Sequence, residues 1–186
     1  MFDAIERALP NDPVTLYAIM WNAYVGNASA QGLPGREAEA QHFLDLAIRT
    51  SGRLIQLESN DRSLRSFAGT LRQAQSQALT ASGDHRAAIA MQRTVIALYR
   101  STLGPERRVS SLSRLAMAQV TMGKIAQAAG DRPLACASYR EAREQIDELQ
   151  RHDALIGSLG SYRLGLDQNL GHCISGAALS EMLVLE

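Results

Sequence analysis

Apolar residues recur at helical spacing along most of the chain, and short clusters of Gly, Pro and Asp divide it into segments. Pro10-Asn11-Asp12-Pro13 breaks the chain and then caps it, with Asp12 placed to accept from orphan amides and Pro13 suited to a first helical position. A helix is predicted from Pro13 to about Gly26, with Tyr17, Trp21 and Tyr24 on one face; their register reads as core or cap packing. Residues 26–35 are rich in Gly and Pro and predict a loop. Further helices are expected over about 36–57, 60–81, 85–103, 106–129 and 133–150. The segment containing Ala88, Ile89, Gln92, Val95, Ile96 and Tyr99 has the cleanest amphipathic register. The last 34 residues are punctuated by glycine and predict partly helical structure. No run of alternating β-branched residues appears, so the pattern predicts about seven helices and no sheet.

Two of the breaks are alike. Gly83-Asp84 and Gly130-Asp131 stand 47 positions apart, each after a helix of about 20 residues and before one of about 17. Five residues beyond each glycine comes Ala88 or Ala135, and twelve beyond comes Val95 or Ala142. Seven residues before each lies a small residue, Ser76 or Gly123. A degenerate copy has Gly35 at its turn, with Ala40, Leu44 and Ala47 following. Such self-similarity marks a repeat architecture.

The pattern Met122-Gly123, Gly130-Asp131, Ala135, Tyr139 and Ala142 resembles the tetratricopeptide repeat. In the preceding copy Gln92 stands where that family places an aromatic residue, and the spacing exceeds the usual repeat of about 34 residues. Residues 83–149 look more specifically like the long-helix tetratricopeptide units attached to serine/threonine kinases in bacterial multidomain proteins. The resemblance implies an all-α fold: antiparallel helix-turn-helix repeats stacked as a short solenoid. It divides one domain, residues 1–186, into a degenerate repeat (13–58), two repeats (61–103 and 106–150) and C-terminal capping helices (153–186). It also implies a protein-protein interaction module, here as the sensory or scaffold part of a signalling protein. No kinase element is present.

Composition narrows the classes. Lys+Arg and Asp+Glu number 19 each, so net charge is zero, which argues against binding nucleic acid or an anionic membrane by bulk charge. Alanine and leucine supply 52 of 186 residues, in keeping with helix. No stretch is long and apolar enough to span a bilayer. The N-terminus has no basic region followed by an apolar core, so a cytoplasmic protein is expected. Two cysteines 37 positions apart predict neither a disulfide framework nor a zinc site, and Cys136 reads as a free thiol turned to the core.

The sequence carries no complete motif for catalytic or metal chemistry. Met122-Gly123-Lys124 lacks the glycine and the Ser/Thr of a phosphate loop, no Gly-x-Ser-x-Gly elbow occurs, and the four histidines show no metal-ligand spacing. The expectation is a non-catalytic protein with no cofactor and no metal. Arg62, Arg65, Arg107 and Arg108 read as ordinary surface cations.

By the family's pattern the first helix of each repeat lines the concave face. That places Thr70, Gln73 and Gln77 from one repeat, and Met117, Val120, Thr121, Lys124 and Gln127 from the next, as candidate contacts for a partner peptide or helix. Two other classes stay open. One is self-association as a homodimer through a C-terminal helix containing Ile174, Leu179, Met182, Leu183 and Leu185; the other is a helical sensor of a small ligand.

Overall fold

The computed structural model describes residues 11–104, 109–151 and 159–175. These form seven helices: α1 Pro13–Ala30, α2 Glu37–Leu57, α3 Arg62–Ala81, α4 His85–Thr102, α5 Val109–Ala128, α6 Arg132–Arg151 and α7 Leu159–Ser175. Among the described residues there is no strand, so the fold is all-α as the hydrophobic pattern predicts. The chain divides into two compact units, residues 1–72 and 73–186, with the division falling within α3.

Helix starts follow the acidic caps. Asp12 accepts from the Thr15 N–H at 2.8 Å, Asp84 from Ala87 at 3.0 Å and Asp131 from Leu134 at 3.1 Å, each relieving an otherwise unpaired amide of the first turn. Gly83 and Gly130 end the preceding helices with φ of 83° and 75°, a backbone region that a Cβ disfavours. At both turns the glycine N–H donates to the carbonyl three residues back, at 3.1 Å. The following aspartate N–H reaches the carbonyl five residues back, Leu79 at 3.0 Å or Ala126 at 2.8 Å. This is the Schellman arrangement, made twice with the same partners 47 residues apart.

In the first unit α1 packs against α2; Leu16, Ile19, Met20 and Ala23 are buried on α1, and Leu44, Ala47 and Leu54 on α2. The first helix does not stop at Gly26 but continues to Ala30. Two contacts account for the extension: Phe43 occupies the space beside Gly26, and buried Asn27 donates to the Ala40 carbonyl at 2.8 Å. The turn into α2 is then made at Gly32 and Gly35, both with φ near 80°. The aromatic face of α1 is not core. Trp21 is 58% exposed and leans on Tyr24 and on Phe67 of α3, with ring centroids 5.7 and 6.2 Å away.

In the second unit α5 packs on α4 through Val95, Ile96, Tyr99, Leu115 and Met122, and on α6 through Leu112, Ala116, Ala135, Tyr139 and Ile146. Buried Gln92 joins three helices: its carbonyl accepts from Ser76 of α3 at 2.7 Å, and its amide donates to the Ala118 carbonyl of α5 at 2.8 Å. Helix α7 closes the core of α5 and α6 with Leu166, and with Tyr162 and Leu170 beside it.

The cysteines correct the sequence expectation. Cys136 of α6 and Cys173 of α7 form a disulfide, with Cα atoms 5.8 Å apart. Spacing alone did not reveal this pair, because it is the docking of α7 on α6 that brings the two residues together.

Candidate partner-binding face

Helix α5 contributes most of the sequence-derived contacts, and its two neighbours decide which of them can meet a partner. It is covered by α4 on one side and by α6 on the other, so most of its length is interior. The positions that stay open recur at three and four residues: Ser110 and Arg114, then the half-buried Met117, Thr121 and Lys124, then Ala128. Three candidates thus share a single stripe.

Val120 does not. It is 1% exposed and packs within the core of α5, α6 and α7, so it cannot meet a partner. Its position, one residue from Thr121, turns it by about 100° toward α6. Arg114, which the sequence reading did not single out, joins the stripe instead; its three-residue step from Met117 is the signal that could have found it.

The remaining polar groups of the stripe are partly engaged. The Thr121 hydroxyl donates to the Met117 carbonyl of its own helix at 3.0 Å. Lys124 holds its ammonium 5.9 Å from the Tyr162 ring centroid, within cation–π range. Gln127, a half-buried candidate, falls beside the stripe and not on it; it accepts from the Tyr139 hydroxyl at 2.9 Å and so supports the core ring. Burial pushes the Tyr139 phenol above its ordinary range, which keeps this hydroxyl a donor.

On α3 the candidates Thr70, Gln73 and Gln77 follow the same three-and-four spacing. Thr70 and Gln73 are half-buried and Gln77 is exposed. Thr70 belongs to the first compact unit, Gln73 and Gln77 to the second.

A cavity of about 450 Å³ lies elsewhere in the second unit, lined by His85, Arg86, Ile89, Ala90, Arg93, Ala129 and Asp131. None of the sequence-derived contacts lines it. Among the described residues no group of three or more His, Cys, Asp or Glu side chains is placed to hold a metal, and no helix is long and apolar enough to cross a membrane. Arg107, Arg108 and the C-terminal residues beyond Ser175 lie outside the described residues.

No known protein family, curated protein or solved structure matches the chain.

Proposed function

We propose that this protein is a non-catalytic interaction module of tetratricopeptide type, which takes a peptide or helix of another protein within its second unit, on the open stripe of α5 and on Gln73 and Gln77 of α3. The observation that supports it best is the repetition of one hairpin turn, hydrogen bond for hydrogen bond, at a distance of 47 residues. Repeated helical hairpins of this kind are scaffolds whose chemistry is surface complementarity. The α5 stripe offers a thioether, a hydroxyl, an ammonium and a guanidinium in about 15 Å of helix, a mixed surface suited to an amphipathic segment. The likeness to kinase-attached units makes a signalling scaffold the natural setting.

The disulfide changes the expected location. Such bonds persist in oxidising compartments and are rare in the cytosol of mesophiles. Cys136–Cys173 therefore favours an oxidising compartment over the cytoplasm.

The test is selection of peptides from a random library on the immobilised protein, followed by dissociation constants for the enriched sequences. Gln77→Arg and Thr121→Arg should each weaken binding at least tenfold while leaving the thermal transition unchanged. Enriched peptides that bind both variants as they bind the native protein would move the site elsewhere. Failure to enrich any peptide would count against a peptide-binding module.

A further inference from the structure

Helix α1 has a face that no other described residue of its unit covers. Of its 18 residues none is Asp, Glu, Lys or Arg. Val14, Ala18, Trp21, Val25 and Ala28 are all exposed, and the three large ones strongly so, at 76%, 58% and 44% for Val14, Trp21 and Val25. Their steps are four, three, four and three residues, the apolar spacing of a coiled-coil seam, within an arc of about 80° on the helix. A helix apolar on its outer as well as its inner face belongs in an interior or an interface. Trp21 is braced for contact, its ring supported by Tyr24 and Phe67, which themselves meet edge to face at 5.2 Å. Rigid aromatic anchors of this sort are enriched at the centres of interfaces.

The order of sizes along the seam names the occupant. Read forward it is large, small, Trp, large, small; read backward it is small, large, Trp, small, large. Laid antiparallel on itself about Trp21, the seam sets Val14 against Ala28 and Ala18 against Val25, each large residue meeting a small one. A two-fold interface requires this reciprocity, in which one position faces a second and the second faces the first. With no charge on either helix, nothing repels the second copy and nothing selects an acidic or basic partner instead.

We propose that α1 is a homodimer interface, in which two copies of this chain pack antiparallel along Val14, Ala18, Trp21, Val25 and Ala28 with Trp21 at the two-fold axis. One pair of helices, each about 27 Å long, lies at the small end of stable interfaces, near 1,000–1,200 Å² in total, so the dissociation constant is expected in the micromolar range.

The full chain supplies its own probe, because Trp21 is its single tryptophan. Sedimentation velocity from about 1 to 200 μM should show a monomer–dimer equilibrium, and Trp21 emission should shift to the red on dilution as the ring meets water. Ala18→Glu, an exposed change that should leave the helical circular dichroism and melting intact, should abolish the dimer. The double variant Ala18→Glu/Val25→Arg should restore it, since each Glu then faces an Arg of the other copy. A native chain that stays monomeric throughout would overturn the proposal. So would a dimer indifferent to Ala18→Glu, which uses another face, or a double variant that remains monomeric, which rejects the antiparallel register. A monomer whose Trp21 emission shifts to the blue on addition of phosphatidylglycerol vesicles would overturn it in favour of a lipid surface.

Discussion

Tyr139 lays its ring over Gly123 so closely that a Cβ built on that glycine would come within 2.5 Å of Cδ1 and 2.7 Å of Cζ. The ring is fully buried and its hydroxyl is held by Gln127, so it has nowhere to retreat. The same relation, small residue on the first helix and large on the second, recurs between Gly26 and Phe43, where the nearest ring atoms stand 2.9–3.0 Å from the ideal Cβ. Helix pairs of this fold approach at these points, and the glycine sets the distance.

Gly123→Ala should therefore cost about 1–3 kcal/mol, the usual penalty of overpacking a closed site, despite the better helix propensity of alanine. Gly26→Ala should cost less, because Phe43 is only half-buried and its ring can yield by a few tenths of an ångström. Urea denaturation of the two variants beside the native protein checks the order. Equal losses would mean that Phe43 is as confined as Tyr139.

The preceding hairpin solves the same contact with polar groups. Ser76 and Gln92 occupy the positions of Gly123 and Tyr139, 47 residues earlier, and meet through a buried hydrogen bond. Gln92→Tyr alone should be destabilising by about 2 kcal/mol or more, since the ring meets Ser76 and the bond to the Ala118 carbonyl is lost. Adding Ser76→Gly opens the space that Gly123 opens for Tyr139. The pair should then recover at least about 1 kcal/mol relative to the sum of the single changes, a coupling that a double-mutant cycle in urea measures. Strict additivity would show that the two hairpins are not interchangeable at this contact.

Much of this was legible beforehand because it is local. The Gly-Asp turns declare themselves through a positive-φ glycine followed by a capping carboxylate, and the spacing of Ser76 and Gly123 from those turns marks the close approach. What the sequence hid depends on pieces brought from afar. Gly26 reads as a breaker until Phe43 is known to need its missing side chain. Val120 and Thr121 are adjacent and both plausible on a surface; only the position of α6 separates interior from stripe. Trp21 reads as core because tryptophan usually is; on a helix with apolar residues on both faces, the register does not say which face turns inward. The disulfide needed the placement of α7, which periodicity in a glycine-punctuated segment does not supply.

Stability should fall at alkaline pH through two tyrosines. Tyr17 donates to Glu58 at 2.9 Å and Asp61 at 3.1 Å; burial, then these carboxylates, push its pKa up, and burial does the same for Tyr139. In the unfolded chain both ionise near pH 10. A folded pKa raised above the unfolded one means that the contribution is full below about pH 10 and is lost as pH rises beyond it. Asp61 acts in the opposite sense. Its carboxylate accepts from the Leu64 amide and from Tyr17, which holds its pKa below the ordinary value, so its contribution is present above about pH 4 and lost as pH falls further. Tyr17→Phe should cost about 1 kcal/mol at neutral pH and make the alkaline decline shallower. Denaturation midpoints from pH 7 to 11 test this; parallel profiles for the two proteins would exclude Tyr17 as a source of the decline.

The disulfide should be a large single contributor to stability. It links residues 37 positions apart, and closing a loop of that length in the unfolded chain is worth about 3–4 kcal/mol on the chain-entropy account. Helix α7 has other ties to α6: Leu166 in the shared core, Arg143 paired with Asp167 at 2.6 Å, and Arg132 donating to the His172 carbonyl at 2.6 Å. The Asp167 pair is exposed on the acidic side and contributes about 1 kcal/mol or less. Reduction should therefore leave the fold in place, lower its stability by a few kcal/mol, and raise amide exchange first in α7, the helix whose anchorage depends most on the bond. The double variant Cys136→Ser/Cys173→Ser should show the same lowered stability and no further response to reductant. Intact mass under non-reducing conditions should be two hydrogen atoms lighter than after reduction. A native protein whose melting is unmoved by reductant, with its mass shifted as expected, would show that the non-covalent ties hold α7 unaided and that the entropic contribution is offset in the folded state.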